Sequence, residues 1–422
     1  MHLVDGSRVV IVGGGPAGSF AALHLLRLAA ASSLRLDVVV FEARDFSRAG
    51  PAGCNRCAGI LSSTLLLNMD DLGLTLPREV VQAEVQAYVL HIADGREVVL
   101  SRPDPARRVV SVYRGSGPCR GEAPFPESFD RWLLEQARER GARIVRDRVR
   151  TVRAGERPLV VTADESLAAD LVVLATGVNS RAPLDPAWGY RPPRTAVMAQ
   201  DEVPCPQGFD NSRVHVFAGY PPGLVFGALI PKGRYLNISL LGKGLAADAV
   251  RDFLDWHRLL RRYPAWATLL CGCTPRAAVS PARNFYADRM VAVGDAAVTR
   301  LYKDGIGSAY VTAEAAARAA FTHGVSKGDF SQGYAPVCRR IAHDNRYGRV
   351  LIALGLRLGV THPWMRRLVD PADGAETEQP CHRALWAMFT GDEPYERILR
   401  LALACLGPGW LRGVLRVRSD YD

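Results

Sequence analysis

Short, nearly unbroken apolar runs recur along this chain, and each ends on small or acidic residues. "RVVIVGGGPAGSFAALHLLRLA" (8–29) predicts a β-branched strand that passes through glycines into an Ala/Leu-rich helix. "LRLDVVVFEARD" (34–45) and "ADLVVLATGVNS" (169–180) predict two further buried strands, and "ADRMVAVGDAAVTRLYKDGIGSAYVTAEAAARAA" (287–320) a strand, a loop and a glycine-opened helix. Elsewhere the period shortens. "VQAYVLHIADGREVVLS" (85–101) alternates around Asp94-Gly95, a hairpin signal, and "AVMAQDEV", "VHVFAG", "GLVFGALIP" and "YLNISLLG" supply more strands within 196–242. From about residue 326 the pattern is helical, in "YAPVCRRIAHDNRYGRVLIALGLRLGV" and "ALWAMFTGDEPYERILRLALACLG", around the polar loop "DPADGAETEQP". The expected fold class is α/β. A Rossmann-like domain is discontinuous over 1–80, 105–185 and 284–325, an inserted antiparallel sheet takes 81–104 and 186–283, and a helical region takes 326–422.

The first run carries a GxGxxG in full context. Gly13 makes the tight turn, Gly15 lets the backbone approach a pyrophosphate, and Gly18 lets helix and strand pack closely. Pro16 and Ala17 open the helix, whose N-terminal amides and dipole suit phosphates. Glu42, 24 residues beyond Gly18, is placed to accept hydrogen bonds from an adenosine ribose, with Ala43 and Arg44 beside it. Val149 is placed in the same binding set. The acid favours a ribose hydroxyl over a 2'-phosphate, and it does not separate FAD from NAD.

Two later stretches do separate them. Ala175-Thr176-Gly177 closes one strand, and Gly294-Asp295 closes another. A carboxylate at a strand's C-terminal edge suits a ribityl hydroxyl, and the amides of a helix opening at Gly305-Ile306-Gly307 suit the pyrimidine side of a flavin. With "GGGPAG", "FEAR", Cys57-Ala58-Gly59, "FDRWLLEQARERGARI", "LATG" and "GDAA...DGIGSA" in this order, residues 8–325 resemble the FAD-dependent oxidoreductases of the para-hydroxybenzoate hydroxylase fold. Within them the chain looks most like the geranylgeranyl reductase family. The resemblance implies FAD, a turn formed by Cys57, Ala58 and Gly59 over the flavin, and reduction of a carbon–carbon double bond in a hydrophobic, isoprenoid-like substrate. Three rivals stay open: a flavin monooxygenase on the same fold, a flavin-coupled dithiol enzyme, and a non-catalytic flavin-binding protein. With a single GxGxxG, the chain needs an external donor, either transiently bound NAD(P)H or a small electron-transfer protein.

The chain departs from that family's pattern in places. The aromatic-x-Trp-x-Phe-Pro motif becomes Phe226-Val-Ala228-Leu-Ile230-Pro231, so the pocket stays apolar and loses aromatic surface. An arginine common three residues before Phe-Asp is Pro126 here, with Arg114 or Arg131 available to compensate. Lys303 and Asp304 fall near the flavin on this reading, or form a solvated loop pair.

Cys57, the candidate catalytic thiol, has a second thiol three residues before it, Cys54, which the family lacks. The pair reads as a turn with reduced cysteines or as a redox dithiol; joined by Cys271 and Cys273 it reads as a metal site. A CxC does not match the repeated CxxC of zinc ribbons, so no metal is assigned. Nine cysteines, an odd number, point to free thiols, a transient redox pair or ligands rather than a disulfide framework.

Charge changes the picture little. The net charge of +10 arises from 53 basic residues, of which only Lys232, Lys243, Lys303 and Lys327 are lysines, and the arginines are spread without long runs. Nucleic acid is therefore not an expected partner; a hydrophobic small molecule is. The start "MHLVDGSRVVIVGGG" leaves no room for a secretory leader, so a cytoplasmic location is expected. The Leu/Trp/Arg-rich C-terminal helices suit core packing, a lid over an apolar pocket, or a peripheral membrane contact. Oligomeric state is not legible.

Overall fold

Five strands that lie far apart in the sequence run parallel, in the order Met290–Ala292, Leu171–Leu174, Arg8–Val12, Asp37–Phe41 and Arg143–Val145. Tyr286–Ala287 adds an antiparallel edge. These positions come from a computed structural model that describes residues 1–53, 57–92, 95, 97–218, 223–358 and 380–406. The register sets Val12 opposite both Leu174 and Phe41, and Leu174 opposite Ala292. The strands therefore end together, and the loops that follow emerge along one edge.

Their side chains alternate between two cores, because successive residues of a strand point to opposite faces. Val9, Ile11, Val38, Val40, Leu171 and Val173 pack with the helices Pro16–Ala31, Phe129–Glu139 and Gly305–Thr322. Val10, Val12, Val39, Phe41, Val172 and Leu174 pack against Val152, Val160 and Trp188. A sheet covered on both faces explains the unbroken apolar runs.

The second sheet has seven strands, in the order Arg276–Ala278, Thr195–Pro204, Tyr235–Gly242, Leu224–Lys232, Arg213–Ala218, Ala87–His91 and Glu97–Ser101. Residues 85–101 and 196–242 thus share one sheet, but the sheet is not wholly antiparallel. Arg213–Ala218 and Ala87–His91 pair in parallel, which is open to them because no short turn joins them. The Ala87–His91 and Glu97–Ser101 pair is antiparallel, while Asp94 of its connection lies outside the described residues.

One face of this sheet packs on the helix Ala249–Trp256 through Val250, Phe253 and Leu254. The other carries Tyr88, Val214, Val216, Ala228 and Ile230. The helix Pro380–Thr390 reaches that face, with Trp386 edge-on to Tyr88 and Phe389 stacked on it, both at 5.3 Å between ring centroids. Asp344 of the helix Ala335–Leu358 accepts from the amides of Tyr395 and Glu396, at 2.9 and 3.0 Å, and so caps the helix Tyr395–Leu406. The polar loop expected at 370–380 falls outside the described residues except for Pro380. Among the described residues no helix is long and apolar enough to cross a membrane.

His24 makes this core sensitive to acid. Its ring is fully buried, stands edge-on to Tyr310 at 4.8 Å, and among the described residues has no hydrogen-bond partner on either nitrogen. Burial, with Arg27 and Arg318 nearby, pushes its pKa down to about 3. An unfolded histidine takes its proton near pH 6.5. Between that pH and about 3 the unfolded chain holds one more proton than the folded one, so stability falls as pH falls. The contribution is about 1.4 kcal/mol per pH unit. In denaturant unfolding between pH 7 and 5, His24→Leu is expected to lose less stability than the wild type. An identical slope in the two proteins would refute this assignment.

Candidate functional site

The common edge of the parallel strands opens into a cavity of about 690 Å³ that continues beneath the apolar face of the second sheet. Its first end is built by the glycine turn. Gly13 has φ +107°, and a Cβ there would lie 2.6 Å from the carbonyl oxygen of Ala175. Gly18 is tighter still, with a Cβ only 1.8 Å from the oxygen of Gly13. Gly15 caps the helix Pro16–Ala31 without a side chain, which leaves the first-turn amides open toward the cavity.

Glu42 does more than the spacing suggests. Its two oxygens accept from the amides of Gly14 and Arg44, both at 2.8 Å, so the acid ties the glycine turn to the end of its own strand. Each oxygen keeps a further lone pair for a ribose hydroxyl. Ala43, Arg44 and Val149 line this end together with Glu42.

Ala175, Thr176, Gly177 and Asp295 line the middle, and Gly305 and Ile306 present the start of the next helix. Burial raises the pKa of Asp295, while the charge of Arg114 and the nearby Thr299 pull it back. Asp304, at φ +47°, caps that helix by accepting from the amide of Gly307 at 3.2 Å and the hydroxyl of Ser62 at 3.1 Å. Burial pushes Asp304 up to about 6 and Lys303 down to about 8. Both side chains line the cavity, so the solvated-loop reading of this pair does not hold.

Cys57 and Ala58 also line the cavity, on a turn that only glycine can close. Gly59 has φ +71°, and a Cβ would stand 2.1 Å from the oxygen of Val112. The Cys57 sulfur accepts from the amide of Gly59 at 3.4 Å and lies within electrostatic reach of Arg114. Arg114 is held by both oxygens of fully buried Asp130, at 2.9 Å each. Burial works against its charge, yet Asp130 and Cys57 hold the guanidinium above its ordinary pKa. Gln200 donates to the carbonyl of Cys57 at 3.1 Å. Arg131, the other candidate to replace the arginine at Pro126, is exposed.

Of the residues expected at the site, Gly18, Gly294 and Gly307 do not line the cavity. They permit close backbone packing around it: a Cβ on Gly294 would meet that of Ala17 at 2.7 Å, and one on Gly307 the carboxylate of Asp304 at 2.3 Å. Cys54 lies outside the described residues, and with it the dithiol reading. Cys271 and Cys273 do not line the cavity. Asp201 accepts from the amides of Cys271 and Gly272 at 2.8 and 2.9 Å, and burial together with Asp201 pushes the Cys271 thiol up to about 12. Among the described residues no three His, Cys, Asp or Glu side chains are grouped to hold a metal ion. Among the described residues six cysteines are free and Cys381 is disulfide-bonded.

The cavity fits FAD on three counts. Gly13 and Gly15 bring bare backbone to the cavity wall, two helix N-termini face the cavity, and the space runs on from the acid at one end to the second sheet at the other. Gly15→Val is therefore expected to give a folded, colourless protein. Flavin absorbance at the wild-type stoichiometry in that variant would show that the cofactor does not use this turn.

No family model matches the chain. Protein FixC of Escherichia coli O157:H7 is 27% identical to it over 328 residues, 68% of this chain and 69% of FixC. Kynurenine 3-monooxygenase of Salinispora arenicola is 28% identical over 346 residues, 72% of this chain and 70% of that protein. The crystal structure of a geranylgeranyl bacteriochlorophyll reductase-like protein from Thermoplasma acidophilum superposes with a TM-score of 0.63 at 18% identity, over 94% of this chain and 98% of that one. With its discontinuous parallel sheet and inserted second sheet, the chain has the para-hydroxybenzoate hydroxylase fold of FAD-dependent oxidoreductases.

Proposed function

We propose that the chain is an FAD-dependent oxidoreductase that reduces a carbon–carbon double bond in a hydrophobic, isoprenoid-like substrate. The observation that carries this reading is the continuity of the cavity from the glycine turn to an apolar roof. Met198, Val214, Val216, Phe226, Ala228 and Ile230 wall that roof, and Tyr88 and Phe389 close its side. Such a wall removes an apolar chain from water at about 25 cal/mol per Å² and excludes competing solvent. Ala228 and Ile230 replace aromatic residues of the reductase motif, which leaves room for a bulkier or branched chain.

When bound, FAD would supply the hydride, after reduction either by hydride from transient NAD(P)H or by two electrons from a small electron-transfer protein with a proton from solvent. The rest falls to the chain. Cys57 stands at the junction of the two halves of the cavity and holds a proton on Sγ for the second carbon. Arg114, locked by Asp130, places its positive charge near the sulfur and stabilises the negative charge left when that proton moves. The amides of Gly305 and Ile306 supply positive potential where negative charge gathers on a reduced ring.

A second reading is favoured by the similarity to a kynurenine 3-monooxygenase: the same cavity in a hydroxylase. Oxygen separates the two. The anaerobically reduced protein is expected to be reoxidised by an unsaturated isoprenoid, with a mass gain of two hydrogens in the product. Cys57→Ser is expected to slow that reoxidation at least about tenfold while keeping its FAD. Product that forms only with oxygen uptake would favour the hydroxylase, and an unchanged rate in Cys57→Ser would remove the thiol from the reaction.

A further inference from the structure

Lys303 lies where the three parts of the molecule meet. It precedes the helix Gly305–Thr322, and its Nζ stands 4.9 Å from the ring centre of Phe226 on the roof strand and 5.8 Å from that of Phe389 on the C-terminal helix. Its single hydrogen bond among the described residues goes to the carbonyl of Phe389, at 3.5 Å. Among the described residues no carboxylate forms an ion pair with it.

Most neighbouring charges are committed elsewhere, and one oxygen of Asp392 accepts from Ser63 and Thr64. Asp304 is turned to Ser62, Gly307 and Arg300. Arg300 donates to the carbonyls of Gly391 and Glu393 and lies over the ring of Tyr395. Arg114 is paired with Asp130, and Lys232 with Glu202 at 3.5 Å. One ammonium thus faces an apolar chamber with two ring faces and a carbonyl for company. Cation–π contacts offset only part of the cost of taking such a charge from water. The downward push on its pKa, from burial and then Arg300, is the mark of that deficit.

An oxyanion on the ligand removes the deficit, and the size of the charge matters. One N–H of the ammonium points at Phe389, which leaves two for the ligand. Two donors and one positive charge match one carboxylate. A diphosphate carries more negative charge than this one ammonium can pair.

We propose that Lys303 anchors the carboxylate of an amphiphilic acid whose apolar body lies beneath Phe226, Ala228 and Ile230. This rests on the cavity being the substrate site proposed above, and it narrows the substrate class to monocarboxylic acids.

The test is equilibrium binding to the FAD-loaded protein, read by the fluorescence of a conjugated polyene fatty acid. Its methyl ester and an isoprenoid diphosphate are measured as competitors. The acid is expected to bind at least about tenfold tighter than the ester to the wild type, and tighter than the diphosphate. Lys303→Met and Lys303→Gln are expected to abolish the preference by weakening the acid alone, and Lys303→Arg to keep it. Equal affinity for acid and ester in the wild type overturns the proposal, with no variant needed. A preference that survives Lys303→Met overturns Lys303 as the anchor, and tighter binding of the diphosphate overturns the carboxylate. Acid binding that depends on Lys303 without reoxidation of the reduced protein upholds the anchor and sinks the reductase reading instead.

Discussion

The closest backbone approach at the site is that of Gly18 to Gly13, where a Cβ would lie 1.8 Å from a carbonyl oxygen. That approach seats the first helix directly on the end of the first strand. Two further limits act on the same turn. Gly13 has no room for a side chain beside Ala175, and the Glu42 carboxylate pins the amide of Gly14. Three strand ends that are remote in sequence therefore converge on one short loop. A larger residue at any of these points would move the helix whose N-terminus offers the positive potential a dinucleotide needs.

The second sheet depends on that edge through a polar relay. Asp130, from the helix Phe129–Glu139, holds Arg114, whose charge acts on Cys57. Gln200 of the second sheet takes the Cys57 carbonyl, and Gly59 brings the turn against Val112. A buried ion pair of this kind is poor evidence for stability, since desolvation offsets much of the attraction. Its value lies in orientation: the thiol stands at the seam between the cofactor half of the cavity and the apolar half.

The sequence made the cofactor half legible because its signals are local. The glycine turn, Glu42, the ends of the strands at Ala175 and Gly294, and the glycine-opened helix each follow from a few adjacent residues. The apolar half was legible only as a set of strands. Which faces meet depends on pairings such as that of Ala87–His91 with Arg213–Ala218, which no turn chemistry specifies, and whose parallel sense alternation cannot show. Phe389 and Tyr88, remote in sequence, stack beside the cavity through packing alone. Arg114 was one of two candidates to replace a missing arginine, and only burial beside Asp130 distinguishes it from exposed Arg131. Lys303 and Asp304 read equally as a solvated pair, because charge in a loop is usually surface charge; the C-terminal helix takes that solvent away.

One continuous cavity, opened by the glycine turn, is the expected site of FAD. Titration of the FAD-free protein with FAD, followed by quenching of flavin fluorescence, tests it most directly. The expected result is saturation at one FAD per chain, undisturbed by an excess of NAD. Failure to saturate, or displacement of FAD by NAD at comparable concentration, would contradict the account.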